Sequence, residues 1–343
     1  MAHFLITGHT GFKGSWLTLL LKSRGHEVSG LALDPAPGSL FDRANLTSEL
    51  THDFRVDVRD RDSVLTSFRT AQPDAMIHMA AQALVREGYR NPIGTYETNV
   101  NGTLHVLQAS DGTDSVTSQL IVTTDKVYRD DSLGRPYVES DPLGGNDPYS
   151  ASKAMADILA QEMLTNERTK PGVIARAGNV IGAGDESRER LIPDIKRAVS
   201  SGAPLIVRYK EAVRPWQHVL DCVAGYVLLL SAVEKKGVKG AWNFGPGAEG
   251  FGTVGDVIAI AMERFDFGVT LAPESELVGL SEASYLALDS SKSRESLGWK
   301  NQLNLADSTN LALGAAGDLS RGTLREIIAD QIEKFELGAY QRQ

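Results

Sequence analysis

The sequence contains a single cysteine, Cys222, among its 343 residues. An internal disulfide is therefore excluded, and no cluster of cysteines and histidines has the spacing of a zinc site. Because free cysteines are among the most buried residue types, we expect Cys222 to be a structural thiol inside a helix. The low cysteine content favours a reducing, cytoplasmic compartment, and we predict no metal site.

Long apolar runs and an excess of basic residues are also missing. The longest apolar stretch, near 223–233, is too short to cross a bilayer. The strand predicted at His3–Thr7 leaves no room for the charged start of a signal peptide. With 35 Lys and Arg against 44 Asp and Glu, the net charge of −9 argues against general affinity for nucleic acid or for anionic membranes.

Short apolar segments alternate with helical periodicity through the first half of the chain. Gly25 is placed to end the first helix, whose apolar face begins at Trp16. A β-α-β repeat with short connections predicts an α/β fold with a doubly wound parallel sheet, the Rossmann fold. The predicted strands are 3–7, 27–33, 53–58, 75–80, 119–124, 173–177 and 241–244, and the later predicted helices are 99–107, 150–164, 191–200 and 254–264.

The regular alternation fades after about residue 178. We therefore predict a Rossmann domain in residues 1–178 and a smaller, mixed C-terminal substrate lobe that occupies most of 179–343. The chain is expected to return to the first domain within 215–245.

A glycine-rich turn, Gly8-x-x-Gly11-x-x-Gly14, follows the first predicted strand and opens a helix. Glycine permits close approach of a pyrophosphate, and the helix N-terminus offers free N–H groups and a partial positive charge. Because a strand precedes the turn and a helix follows it, the pattern predicts a dinucleotide site that includes Thr10 and Phe12.

Asp34 ends the second predicted strand, twenty residues after Gly14. A carboxylate there can accept hydrogen bonds from both ribose hydroxyls and would repel a 2′-phosphate, which favours NAD over NADP. The alternative is an ordinary turn residue before a proline. Further along, the predicted adenine contacts are Asp57 and Val58. Ala80, Ala81 and Gln82 end the fourth predicted strand, where small residues let the cofactor pass closely.

Tyr149 and Lys153 lie four residues apart on a predicted helix and therefore share one face. We expect the ammonium, with the positive nicotinamide ring, to lower the pKa of the phenol. Tyr149 could then take a proton from a sugar hydroxyl while hydride leaves the same carbon. A surface pair is the alternative.

Thr124, Asp125 and Lys126 stand at the carboxyl end of the fifth predicted strand, the edge at which ligands bind in doubly wound sheets. A plain oxidoreductase needs only the hydroxyl. The added carboxylate and ammonium could move protons on neighbouring substrate atoms, although a solvated ion pair is the alternative.

Together these motifs resemble the extended short-chain dehydrogenase/reductase family of nucleotide-sugar enzymes. The chain resembles the CDP-glucose 4,6-dehydratase group in particular, from its start to about residue 300, in segments 7–16, 78–89, 141–153, 176–182, 190–194 and 214–219. Related dTDP-sugar dehydratases carry Thr-Asp-Glu at the strand end, whereas this chain and the CDP-glucose group carry Thr-Asp-Lys.

The resemblance implies a reaction in which NAD is consumed and regenerated. Tyr149, with Thr124 holding the 4-oxygen, would oxidise C4. Lys126, if neutral, would remove the C5 proton, and Asp125, if protonated, would donate to the departing 6-hydroxyl. The hydride would then return to C6, which gives a 4-keto-6-deoxy sugar and water.

The resemblance also implies further contacts and an oligomer. Arg214 is the first choice for the substrate diphosphate, because a guanidinium matches phosphate oxygens, although for each candidate a surface charge is the alternative. The other implied substrate contacts are Arg86, Asn179, Leu191, Ile192, Pro193, Lys196 and His218, and the remaining cofactor contacts are Asn99, Thr123 and Ala177. A homodimer or homotetramer is expected.

Two departures and three rival functions remain open. Segment 133–139 lacks the aromatic run usual in the group, and Glu186 stands where a tryptophan is expected. A nucleotide-sugar 4-epimerase would need Tyr149 and Lys153 but no acid and base at 125 and 126. A dehydratase of another nucleotide hexose is the second rival, and a cofactor-sensing protein with a dead site, which the intact residues disfavour, is the third.

Overall fold

The computed structural model describes residues 1–130, 134–165, 169–187, 190–273, 286–314 and 324–340. A seven-stranded, wholly parallel sheet runs through its centre. From edge to edge the strands are β11 (Gly240–Phe244), β6 (Gly172–Ala177), β5 (Ser118–Thr124), β4 (Ala75–His78), β1 (His3–Thr7), β2 (Glu27–Ala32) and β3 (Asp53–Arg55). The strand order reverses between β1 and β4, as in a doubly wound sheet, so the predicted fold class is confirmed.

Helices cover both faces of this sheet, and successive strand residues point to opposite faces. In β1, Phe4 and Ile6 pack on one side and Leu5 packs on the other. The first face is covered by α1 (Phe12–Ser23), α2 (Leu40–Arg43), α9 (Val219–Lys236) and α13 (Leu324–Glu336). The second face is covered by α3 (Arg61–Ala71), α6 (Gly102–Asp111) and α7 (Pro148–Thr165). Gly25 follows the end of α1 with φ +76°, as predicted.

Several predicted strands were too long at the carboxyl edge of the sheet. β2, β3 and β4 end at Ala32, Arg55 and His78, and the residues beyond them form loops. The helix predicted at 99–107 was too short, because α5 (Pro92–Tyr96) continues through a π-helical turn at Glu97–Asn101 into α6. The short α4 (Val85–Arg90) precedes it.

A second core lies beyond the main sheet, around Ile192, Ile195, Trp216 and Val257. It is built from α8 (Leu191–Ser201), α10 (Val254–Met262), α12 (Leu305–Leu313) and the strand pairs β7 (Val180–Ile181) with β10 (Gln217–His218), β8 (Leu205–Val207) with β13 (Val269–Leu271), and β9 (Val213–Pro215) with β12 (Phe251–Thr253). The remaining described elements are α11 (Ser291–Leu297) and 3₁₀ turns at Leu46–Glu49, Asp125–Val127 and Ala248–Gly250. Of the helices within the described ranges, none has the length and apolar character to cross a membrane.

The start of α9 carries a buried carboxyl group next to Cys222, which is itself buried as predicted. Asp221 accepts hydrogen bonds from the Gln302 and Leu303 backbone N–H groups at 2.8 and 3.3 Å. Burial raises the pKa of this carboxyl to about 7, against an opposing effect of those two bonds. The Asp221 carboxyl, which titrates near neutral pH, therefore binds the segment after α11 to α9.

We expect Asp221 to make stability depend on pH. Because its folded-state pKa exceeds the unfolded value, its contribution is complete below roughly pH 4 and is lost as the pH rises through about 7, by on the order of 4 kcal/mol. Urea unfolding of the wild type and of Asp221→Asn across this range checks the prediction. The difference in unfolding free energy between the two proteins should change with pH in this direction; a constant difference would contradict it.

Candidate active site

The glycine turn between β1 and α1 is a cradle that side chains would fill. Gly8 has φ +77°, and a Cβ there would lie 2.8 Å from the Ala80 backbone nitrogen. A Cβ on Gly14 would lie 2.3 Å from the Gly8 carbonyl oxygen. Gly11 and Phe12 lie between these contacts at the start of α1, and Thr10 donates to the Leu33 carbonyl at 3.1 Å. The turn therefore has the shape and free helix N-terminus that a dinucleotide pyrophosphate requires.

Replacing Gly14 by alanine should displace this turn and weaken NAD binding by about tenfold or more, since the added methyl group collides with backbone rather than with a movable side chain. Gly255→Ala is a matched control in the first turn of α10, where only the flexible Lys210 side chain and the Thr253 hydroxyl are near. Calorimetric titration with NAD measures the effect. Equal affinity in wild type and Gly14→Ala would contradict the assignment.

The distal part of the predicted cofactor site is open to solvent. The Asp34 side chain is 89% exposed and lies 4.0 Å from the Arg55 guanidinium. Asp57 is held by Arg59, whose hydrogen bonds lower the pKa of that carboxyl. Val58 is buried, so its side chain belongs to the core. Asp34 and Asp57 are thus placed at the sheet edge, and their cofactor contacts stay predictions.

The loop after β4 carries Ala80, Ala81 and Gln82, all half-buried. Asn99, predicted as a cofactor contact, is buried and fixes this loop. Its Oδ1 accepts from the Gln82 N–H at 2.9 Å, and its Nδ2 donates to the Gln82 carbonyl and to the Ser152 hydroxyl. Asn99 therefore holds the loop in place, and its contact with the cofactor stays a prediction.

The acid and base predicted at the end of β5 are adjacent and unequal in exposure. Asp125 has a side chain that is 1% exposed, whereas that of Lys126 is 31% exposed, and Nζ lies 3.6 Å from Oδ1. The Thr124 hydroxyl donates to Asp125 Oδ1 at 2.9 Å. Asp125 Oδ2 is buried and has no hydrogen-bond partner in the described part of the chain. The alternative of a fully solvated ion pair is therefore wrong, since the carboxyl is withdrawn from water.

Tyr149 meets this group from the start of α7. It is hydrogen-bonded with Thr124, and burial raises the pKa of its phenol, opposed first by the charge of Lys126. The predicted effect of Lys153 together with the nicotinamide ring on this pKa stays a prediction. Lys153 donates to the Val122 carbonyl at 3.0 Å, and its own pKa falls to about 8, mainly through burial. Tyr149, Thr124, Asp125 and Lys126 therefore form one cluster, with Lys153 beneath it.

Two predicted cofactor contacts on the central strands face inward. Thr123 is buried and donates to Asp157 at 2.7 Å, and Ala177 is buried in the sheet core. Strand alternation turns each side chain into the interior, and the cofactor contacts of the two residues stay predictions. Asp157 and Arg176, which sequence reasoning missed, form a buried ion pair behind the cluster. The only sequence signal was their charge within otherwise buried elements.

The predicted substrate residues divide into two sets. Asn179 is exposed, and Arg86, Leu191 and Arg214 are half-buried, so these remain accessible. Pro193 is buried, and Ile192 packs in the second core, so their assignment as pocket lining stays a prediction. Position 133, part of the departure noted above, lies outside the described residues.

His218 and Lys196 are both buried and bonded within the protein. His218 is fully buried, caps α9 by accepting from the Leu220 N–H, and has its pKa lowered to about 3 by burial. Its Nε2 is buried and has no hydrogen-bond partner within the described residues, and its contact with the substrate stays a prediction. Lys196 donates to Glu186 at 3.0 Å, and the same Glu186 oxygen accepts from Arg43 at 3.3 Å. The unexpected glutamate thus neutralises a cation that was assigned to the nucleotide.

A family model described as the NAD dependent epimerase/dehydratase family matches residues 4–245. The chain belongs to this family. It is 38% identical over 315 residues to a CDP-glucose 4,6-dehydratase of Salmonella typhimurium, which covers 88% of this chain and 87% of that protein. It is 27% identical to a UDP-glucose 4-epimerase of Neisseria meningitidis, over 89% of this chain and 94% of that one.

Solved structures agree with this membership. The structure of a UDP-glucose 4-epimerase of Thermus thermophilus in complex with NAD matches with a TM-score of 0.79 and 26% identity, covering 91% of this chain and 98% of that one. The predicted family resemblance, enzyme class and NAD cofactor are thereby confirmed, and the chain is an NAD-dependent enzyme of the nucleotide-sugar dehydratase and epimerase type. The described residues contain no group of three or more metal-ligating side chains.

Proposed function

We propose that this protein catalyses the 4,6-dehydration of a nucleotide-activated hexose, with CDP-D-glucose converted to CDP-4-dehydro-6-deoxy-D-glucose and water. The observation that carries the proposal is the buried Asp125 carboxyl, with one unpartnered oxygen, beside Lys126 and within the Tyr149–Thr124 cluster. A 4-epimerase has no use for an acid and a base at neighbouring positions. The 38% identity to a CDP-glucose 4,6-dehydratase supports the same choice.

Tyr149 and Thr124 serve the oxidation at C4, and Asp125 and Lys126 serve the loss of water. Tyr149, as phenolate, takes the proton of the 4-hydroxyl, and Thr124 orients that oxygen through its hydroxyl. The resulting 4-ketone acidifies the C5–H bond, and Lys126 in its neutral form removes that proton. Asp125 in its protonated form donates to the 6-oxygen as the C6–O bond breaks and water leaves.

Bound NAD would supply the redox chemistry by accepting hydride from C4 and returning it to C6. The proton on Lys126 then returns to C5, so that the sugar has lost only water. Tyr149 is left protonated and Asp125 ionised, and one proton must pass from the former to the latter before the next turnover. Thr124 contacts both side chains, which gives this transfer a short path.

The cradle of Gly8, Gly11 and Gly14 would hold the pyrophosphate, and Asp34 the adenosine ribose. Residues 179–343 would mainly form the nucleotide-sugar lobe, with Arg214 at the diphosphate. We further propose a homodimer or homotetramer, and the cytoplasmic location inferred from the single cysteine stays a prediction.

A substrate panel tests the proposal. The protein, with added NAD, is incubated with CDP-, dTDP-, GDP- and UDP-glucose, and products are identified by NMR. The expected result is a 4-keto-6-deoxy product with the highest kcat/KM for CDP-glucose. A 4-epimer without loss of water would favour the epimerase, and a higher kcat/KM for another nucleotide would reassign the base.

A further inference from the structure

We infer that Asp157 and Arg176 position the catalytic triplet Thr124-Asp125-Lys126 by holding the residues on both sides of it. The group formed by Thr123, Tyr128, Asp157 and Arg176 is called the clamp below. The inference rests on the proposed function, because it assigns the clamp to the dehydration half of that reaction.

The upstream arm of the clamp ends on Asp157 in α7. Its side chain is fully buried and accepts from the Thr123 hydroxyl at 2.7 Å, from Arg176 Nε at 2.9 Å and Nη2 at 2.7 Å, and from Gln161 at 2.7 Å. Four donors on one carboxylate leave it no freedom to turn. Thr123, directly before the triplet, is therefore fixed to the helix that carries Tyr149.

The downstream arm uses the third nitrogen of the same guanidinium. Arg176 Nη1 donates to the Tyr128 hydroxyl at 2.9 Å and to the Glu139 carbonyl at 3.1 Å. The Tyr128 hydroxyl in turn donates to Asn243 in β11 at 2.7 Å, and the ring stacks on Tyr137 with centroids 5.0 Å apart. Tyr128, the second residue after Lys126, is therefore anchored to the sheet by the same arginine.

The triplet needs further contacts to fix its position, because the chain leaves the sheet within it. β5 ends at Thr124, and Asp125–Val127 is a single 3₁₀ turn without a strand or long helix to define its direction. Tyr149, in contrast, lies within the regular hydrogen bonding of α7. Removal of a clamp contact should therefore disturb Asp125 and Lys126 more than Tyr149.

The burial of the ion pair between Asp157 and Arg176 also indicates that it positions its neighbours rather than stabilising the fold. The Arg176 and Asp157 side chains are 1% and 0% exposed. The desolvation of two such charges offsets most or all of their attraction, so apolar residues of similar volume would hold the fold as well. A planar guanidinium with donors in fixed directions, however, can fix three partners at once.

Two near-isosteric variants test one arm each. Thr123→Val removes the hydroxyl that binds Asp157, and Tyr128→Phe removes the hydroxyl that binds Arg176. Both leave the ion pair itself in place. Thr113→Val is the matched control: Thr113 is also buried and donates to a single acceptor, the Ala109 carbonyl at the end of α6.

The readouts separate the two halves of the reaction. With CDP-glucose and NAD, stopped-flow absorbance follows reduced nicotinamide, NMR follows product and deuterium uptake from D₂O at C5, and thermal melting reports stability. We expect Tyr128→Phe and Thr123→Val to lower kcat for product and the rate of C5 exchange on the order of 10–100-fold, with KM little changed and reduced nicotinamide accumulating. Thr113→Val should keep the wild-type rates.

Two outcomes would overturn the inference. One is wild-type kcat in both clamp variants. The other is a parallel loss of reduced nicotinamide, exchange and product together with a lower melting temperature, which is what a purely structural role produces. Failure of the proposed function is distinguishable, because the wild type itself would then release no 4-keto product from any nucleotide sugar.

Discussion

Replacing Tyr149 by phenylalanine should lower kcat by about 10²–10⁴-fold and abolish the appearance of reduced nicotinamide, because the group assigned to take the 4-hydroxyl proton is lost. Burial raises the pKa of this phenol, with Lys126 and Thr124 opposing the rise. The ionised form needed for the reaction must therefore be favoured by positive charge around it. Activity should accordingly increase with pH until the phenol is ionised.

Tyr89→Phe provides the matched control, since Tyr89 is 60% exposed and lies in the short α4. It should show wild-type kcat and KM. Stopped-flow absorbance and steady-state kinetics on the three proteins measure the effect, and the Kd for NAD confirms that the site is intact. Wild-type turnover by Tyr149→Phe would remove this residue from the mechanism.

Replacing Lys126 by methionine or Asp125 by asparagine should produce a different defect. Both variants should lose about 10²–10⁴-fold in dehydration. C4 oxidation should continue, more slowly in Lys126→Met because a charge that lowers the Tyr149 pKa is lost, so that reduced nicotinamide accumulates. Asp125→Asn keeps the shape of the buried side chain, but an amide cannot transfer a proton to the 6-oxygen and become a carboxylate. Lys126→Met keeps the length of the side chain but has no nitrogen to accept the C5 proton.

Lys235→Met, on the exposed end of α9, is the control for Lys126→Met. Product formation is followed by NMR, and reduced nicotinamide by absorbance. Full turnover in both site variants, or loss of oxidation and dehydration to the same extent, would refute the assignment of dehydration to Asp125 and Lys126.

The features predicted correctly from the sequence are those that depend on neighbouring residues. The alternation of apolar segments and the turn from Gly8 to Gly14 are local patterns, and they predict the parallel sheet and the tight turn between β1 and α1. The triplet at Thr124 could be located because it follows a buried strand, and ligand-binding edges of such sheets lie at carboxyl ends.

The features that were missed depend on contacts between distant segments. Spacing places Tyr149 and Lys153 on one helix face, but the pKa of the phenol is set by burial under elements that spacing does not reveal. Asp157 and Arg176 lie nineteen residues apart and meet only because α7 packs against β6. The burial of His218 at the start of α9 likewise depends on packing that its sequence neighbours do not reveal.

The most direct test of the account follows one deuterium atom. CDP-glucose labelled with deuterium at C4 is converted by the wild-type protein in ordinary water, and the product is examined by NMR. If the site removes hydride from C4, expels water across C5 and C6, and returns the same hydride, the label should appear in the C6 methyl group. A label that stays at C4 of an epimer, or that is lost to solvent, would contradict the proposed dehydration.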